Sequence, residues 1–271
     1  MESQLVKQRR VLACRPKEQN ESWRKLLKAR KLQTICIPLM LISPLESIES
    51  KQKIKNRVLS LDNYFCVIFV SQNAVNFGLD WIEDFWPQLP SGMTFYAIGA
   101  KTGAILAERC ERTFPDAFVE IKFAPASMDS ASLLAMSDLQ NISGEKIMLC
   151  KGVGGRTMIQ QALTSRGAQV EVCELYQREL PADAAALFAA LELDKSIDIF
   201  PVFSGETLTN LHQALANNTY REITQIPLIV PGERVAALAK ELGYENVHVA
   251  ENATETCMMS TLLCLLNENV Q

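Results

Sequence analysis

Histidine is almost missing from this chain: its 271 residues contain two, His212 and His248, far apart and without ligand-spaced partners. That scarcity argues against a zinc site and against a histidine-based catalytic dyad. The eight cysteines include no Cys-x-x-Cys pair, and Cys36, Cys66, Cys150 and Cys173 lie in apolar, strand-like runs, where cysteine behaves as a small hydrophobe. We read them as reduced, and the compartment as cytoplasmic. A basic surplus is lacking too, since the formal net charge is −4, which speaks against a nucleic-acid partner. Residues 1–10 have no apolar core of signal-peptide length, and the longest apolar stretch, Cys257 to Leu266, is too short to span a bilayer. No low-complexity region is visible.

What is present is an ordinary globular composition, 48% hydrophobic and 21% charged, in a chain long enough for two domains. Its clearest local signal is Lys151-Gly152-Val153-Gly154-Gly155-Arg156. An apolar run, Ile147 to Cys150, precedes it; Thr157 to Gly167 follows, with Met158, Ile159, Ala162 and Leu163 at helical spacing. A strand, a glycine turn and a helix result. Such a turn lets the backbone approach a ligand, and the helix start offers free N–H groups to an anion. No Gly-Lys-Ser/Thr follows, so it is not a P-loop, and Thr157 stands where a dinucleotide fingerprint needs its third glycine.

The same grammar repeats along the chain. Strands are expected near Arg10–Cys14, Gln33–Ile42 (interrupted by Pro38), Phe65–Val70, Thr94–Ile98, Phe118–Ile121, Lys146–Cys150, Gln169–Leu175, Ile197–Phe203, Pro227–Val230 and Val247–Ala250, with helices between them. That alternation predicts parallel sheets covered on both faces. In such sheets ligands bind beyond the carboxyl ends of the strands. The turns there, Ser71-Gln72-Asn73, Gly99 to Thr102, Lys151 to Arg156, Ser204 to Thr207 and Pro231 to Arg234, are small, polar and rich in N–H groups. Any one of them reads simply as a helix cap. Five together suggest a ligand with many carboxylates or phosphates.

In this order the turns resemble the uroporphyrinogen-III synthase family. The residues that carry the resemblance are Arg15-Pro16, Ser71-x-Asn73-Ala74-Val75, Ala97-x-Gly99-x-x-Thr102, Gly152-x-Gly154-Gly155-Arg156, Arg166-Gly167, Tyr176-x-Arg178, Ser204-Gly205-Glu206 and Pro231-x-Glu233-Arg234-Val235. The resemblance covers about Arg10 to Leu266. It implies two flavodoxin-like, doubly wound α/β domains joined by two connecting strands, with a ligand cleft between them: residues 1–41 plus 175–271, and an inserted domain of 42–174. It implies cyclisation of hydroxymethylbilane, an octacarboxylate linear tetrapyrrole, to uroporphyrinogen III, with loss of water and inversion of the last pyrrole. No metal or organic cofactor is implied, and a monomer in transient contact with the preceding pathway enzyme is expected.

On the same resemblance Arg15, Ser71, Asn73, Gly99, Thr102, Lys151, Gly152, Gly154, Gly155, Arg156, Ser204, Gly205, Glu206 and Gly232 are expected to bind substrate. Tyr176 is the candidate proton donor to the departing hydroxyl; packing of its ring is the competing role. Gly232 stands where the family often has serine or threonine, which removes a side-chain hydrogen bond. Pro201 cannot donate to a ladder, so its strand is expected to be displaced or at an edge. Two other classes stay open on the residues alone: a non-catalytic two-lobed binding protein for a polyanion, and a nucleotide-dependent enzyme with Glu171 or Glu174 on a ribose.

Overall fold

A computed structural model describes residues 9–124, 130–155, 157–216 and 222–268; the side chains of Lys17, Glu18 and Glu268 are not described. The chain divides into two units, Met1–Ile42 with Glu179–Gln271, and Ser43–Arg178.

In chain order the elements begin with β1 (Arg10–Ala13), α1 (Lys17–Ala29) and β2 (Gln33–Cys36). Next come β3 (Leu41–Pro44), α2 (Ile48–Leu59), β4 (Cys66–Phe69), α3 (Gln72–Phe85), β5 (Thr94–Ala97), α4 (Ala100–Thr113) and β6 (Glu120–Phe123). Then follow α5 (Ser130–Leu134), β7 (Lys146–Gly152), α6 (Met158–Ser165) and β8 (Gln169–Glu179). The chain finishes with α7 (Ala184–Ala189), β9 (Asp198–Pro201), α8 (Gly205–Leu215), β10 (Leu228–Pro231), α9 (Glu233–Glu241), β11 (Val247–Ala250) and α10 (Glu255–Glu268).

The first unit holds a five-stranded sheet in the order β11-β10-β9-β1-β2, every pairing parallel. Successive residues of β1 face opposite sides: Val11 and Ala13 join Trp23, Ile199, Ile229 and Met258, whereas Leu12 and Cys14 join Phe188, Phe200, Leu208 and Leu228. Both faces are therefore buried, which is why these strands read as continuous apolar runs. The second unit holds a six-stranded sheet, β3-β8-β7-β4-β5-β6, with β4, β5, β6, β7 and β8 paired parallel.

Two expectations change here. The run Gln33–Ile42 is not one interrupted strand, because β2 and β3 belong to different sheets and the chain passes through Pro38 between them. A residue without an N–H stands where no ladder is made. The strand containing Pro201 is not at an edge: β9 lies between β10 and β1. Phe200 and Val202 donate their N–H groups to Pro227 and Ile229, so position 201 faces β1, and the β1 pairing has already ended at Val11 and Ile199. The proline therefore forfeits no hydrogen bond.

Local rules explain α3, the helix nearest the candidate site. Ser71 caps it, its Oγ accepting the Ala74 N–H at 3.0 Å. Ala74, Val75, Gly78, Leu79 and Ile82 form its buried stripe at helical spacing. Trp86 ends it in an extended conformation at ψ 97°, as a residue before proline must.

Candidate active site

β7 runs down the middle of the 43–178 sheet and ends at Gly152, opposite Tyr176 of β8. The register slips between Lys151 and Gly152, and this irregularity turns the Tyr176 side chain over the end of β7. A Cβ at Gly152 would lie 2.6 Å from Tyr176 Cε2 and 2.7 Å from Cζ, so only glycine leaves room for the ring. The first glycine of the turn thus serves a side chain of the protein itself.

Tyr176 is 1% exposed. Its ring stacks on Phe77 of α3 with centroids 5.5 Å apart and planes at 20°, and the Arg178 guanidinium lies 5.6 Å from the ring centroid. The Tyr176 hydroxyl is 2.9 Å from Ser71 Oγ and accepts from Arg178 Nη2 at 3.4 Å. Ser71 already accepts the Ala74 N–H, so its own proton is free to go to Tyr176. The bond between the two hydroxyls can run either way; in the arrangement in which Ser71 donates alongside Arg178, the tyrosine proton has no acceptor within the cluster. A phenol held in this way is equipped to give its proton to a bound molecule.

The other expected residues are distributed as follows. Asn73 lies in the first turn of α3. Gly99 precedes α4 without any side-chain cap, leaving the N–H groups of that first turn open, and Thr102 lies within the turn, 6% exposed. Lys151 is 9% exposed at the end of β7. Gly154 and Gly155 adopt φ of 70° and 76°, the left-handed region that favours glycine. The Gly154 N–H is taken by Glu174 Oε1 at 3.3 Å, and the Val153 N–H by the Tyr176 carbonyl. Arg156 lies outside the described residues.

In the other unit, Ser204 caps α8 through the Thr207 N–H at 3.1 Å, with Gly205 and the exposed Glu206 in the first turn. Arg15 is engaged within its unit at both ends of the guanidinium: Nη1 pairs with Glu255 at 2.5 Å, Nη2 donates to Gln19 at 3.2 Å and the guanidinium carbon lies 4.2 Å from the Phe203 ring centroid, while its buried Nε has no partner among the described residues. Gly232 has φ 77°, a conformation that serine or threonine rarely adopts, and its N–H donates to the Ala250 carbonyl. Neither its side chain nor its N–H is available to a ligand.

Phe77, Lys53 and Arg57 were not expected as binding residues, and Glu174 only as a ribose ligand in the nucleotide-dependent alternative. Lys53 and Arg57, four apart on α2, carried only the signal of two cations on one helix face.

All eight cysteines are free. Among the described residues no group of three or more His, Cys, Asp or Glu is placed to hold a metal ion, and no helix is long and apolar enough to cross a membrane. Burial pushes the Cys66 and Cys110 thiols up to about 12, which keeps them protonated and inert at neutral pH.

A family model described as uroporphyrinogen-III synthase HemD matches residues 21–260. The uroporphyrinogen-III synthase of Escherichia coli is 30% identical over 257 residues, covering 93% of this chain and 99% of its own. That of Salmonella typhimurium is 32% identical over 209 residues, 76% of this chain and 82% of its own. Among solved structures, uroporphyrinogen-III synthetase from Helicobacter pylori superposes with a TM-score of 0.56 at 13% identity over 95% of this chain and 99% of that one. A mutant uroporphyrinogen III synthase from Thermus thermophilus gives 0.54 at 16% identity over 96% and 99%. At such identities the structures speak for the fold, two α/β units with mostly parallel sheets. The sequence matches speak for descent: running from α1 into α10, they place this chain in the uroporphyrinogen-III synthase family.

Proposed function

We propose that this chain is a cyclising lyase that converts hydroxymethylbilane to uroporphyrinogen III. The observation that carries this reading is the family match across 21–260, the span that contains every element of the Tyr176 cluster. In the reaction the pyrrole nitrogen lone pair expels the terminal hydroxyl as water, and the ring closes after inversion of the last pyrrole. Water needs one proton beyond the hydroxyl itself, and the Tyr176 hydroxyl supplies it.

Arg178 and Ser71 then stabilise the phenolate by hydrogen bonding. The open N–H groups at the start of α4, the Gly155 N–H, Thr102 and Lys151 hold substrate carboxylates. The rest of the catalysis is orientation, since a held geometry contributes several kcal/mol without any metal or strong base. Arg15 and Gly232, engaged within the protein, act by keeping their turns in shape. Eight free cysteines, most of them buried, suit a reducing cytoplasm, and we assign the chain there as a monomer that receives its substrate from the preceding enzyme of the pathway.

The test is to supply hydroxymethylbilane and identify the uroporphyrin isomer after oxidation. Type III supports the reading. Type I alone, the product of closure without inversion, overturns it and favours a non-catalytic binder.

A further inference from the structure

A cavity of about 500 Å³ opens in the 43–178 unit between α2 and the turn after β7, lined among others by Lys53, Arg57, Lys151, Gly154, Thr157 and Glu174. Its charges do not balance. Lys151 is 9% exposed and, among the described residues, makes no hydrogen bond or ion pair; the half-buried Arg57 pairs with no carboxylate there either. Among the described residues Lys53 is held only by Glu49, in an exposed pair at 2.6 Å. A largely buried ammonium without a partner is unfavourable, so the cavity calls for an anion.

The one carboxylate on its wall does not answer that call. Glu174 is the register partner of Lys151 across β7 and β8, yet the two form no ion pair. Its Oε1 accepts the Gly154 N–H instead, at a long 3.3 Å. The chain's own carboxylate thus occupies a donor of the glycine turn while Lys151 beside it stays without an ion pair and Arg57 meets only the longer-range field of Glu171.

We propose that this cavity is a carboxylate subsite and that Glu174 is its internal placeholder. A ligand carboxylate takes the Gly154 N–H together with Lys151 and Arg57, and Glu174 swings away. The inference rests on the reading of the chain as a tetrapyrrole enzyme and adds two things to it: α2 supplies binding charge, and Glu174 competes with the substrate. Glu174 therefore sets affinity, and its effect appears in KM.

The test uses the full-length chain and two probes, uroporphyrin III by quenching of tryptophan fluorescence and benzenehexacarboxylate by titration calorimetry, in low and moderate salt. Glu174→Gln keeps the size and removes the charge, so the dissociation constant should fall by about threefold to tenfold. Lys151→Met and Arg57→Gln should each raise it by about tenfold, with a shallower salt dependence than wild type. Circular dichroism checks the fold of Lys151→Met, whose site is buried; Arg57→Gln and Glu174→Gln change half-buried groups and carry the test if Lys151→Met does not fold. Unchanged or weaker binding by Glu174→Gln overturns the placeholder role, and unchanged binding by Arg57→Gln overturns the subsite. If wild type forms the type III isomer while both substitutions leave binding flat, the inference falls and the function stands. If wild type neither binds uroporphyrin III nor forms that isomer, yet benzenehexacarboxylate responds to both substitutions, the subsite stands and the tetrapyrrole reading falls.

Discussion

Ser71 Oγ and the Tyr176 hydroxyl, 105 residues apart in the chain, lie 2.9 Å from each other. One serine hydroxyl thus serves two partners, since it also accepts the N–H that begins α3. The helix cap and the candidate proton donor are coupled through a single atom, and a change at either residue reaches the other.

Tyr176→Phe keeps the ring stacked on Phe77 and removes the proton. Single-turnover rates should fall by about 100-fold with little change in KM, the loss expected for a positioned acid. A rate within about twofold of wild type would take Tyr176 out of the chemistry. Ser71→Ala should lower stability by about 1 kcal/mol through the lost cap and reduce turnover less than Tyr176→Phe does. In the double variant the two effects should fail to add, because both remove the same hydrogen bond.

Two glycines two positions apart should respond differently to alanine. At Gly152 the new methyl meets the Tyr176 ring at 2.6 Å, so the ring must move. Gly152→Ala should cost about 1–3 kcal/mol and depress turnover along with it. At Gly154 nothing lies within 4 Å and only φ, at 70°, opposes a side chain. Gly154→Ala should cost about 1 kcal/mol, measured by chemical denaturation, and leave Tyr176 in place. Equal kinetic damage from both would show that the ring contact is not what Gly152 provides.

Stability should also depend on pH through Glu171, which accepts from the Tyr64 hydroxyl at 2.5 Å and pairs with Lys146 at 2.9 Å. Burial alone would raise this carboxyl, but the Tyr64 hydroxyl and the Lys146 ammonium outweigh burial and hold it below its ordinary value. A carboxyl depressed in the folded state stabilises above its unfolded pKa, about 4.3, and loses that contribution as pH falls through the folded value. Tyr64→Phe should therefore lower the melting temperature at neutral pH and narrow the difference from wild type below about pH 4. A difference that grows on acidification would contradict this.

Much of the fold was legible because each strand of these parallel sheets is apolar on both faces and each following turn carries small polar residues. Val11 to Cys14, Cys66 to Phe69 and Ile147 to Cys150 announce themselves for that reason. Boundaries were less legible where polarity and pairing disagree. The strand expected at Gln169–Leu175 continues through the polar Gln177 and Glu179 to make β8 11 residues long, and α7 closes after 6 residues although Ala190, Leu191 and Leu193 prolong its apolar run.

The candidate site was legible as a set of turns but not as a geometry. Nothing local in Gly152 reveals that a tyrosine 24 positions later fills the space over it, and nothing in Arg15 reveals its pairing with Glu255, 240 positions on. Contacts that depend on such separations are set by packing, which periodicity does not report.

The most direct measurement of the central claim is the isomer ratio formed from hydroxymethylbilane by the wild-type chain beside Tyr176→Phe and a no-enzyme control. Wild type should give type III in excess and the control type I. Tyr176→Phe should give type III slowly against a rising type I background, because the proton is lost but the orientation is kept. A wild-type ratio indistinguishable from the control, with the chain folded, would contradict the assignment of this reaction to this protein.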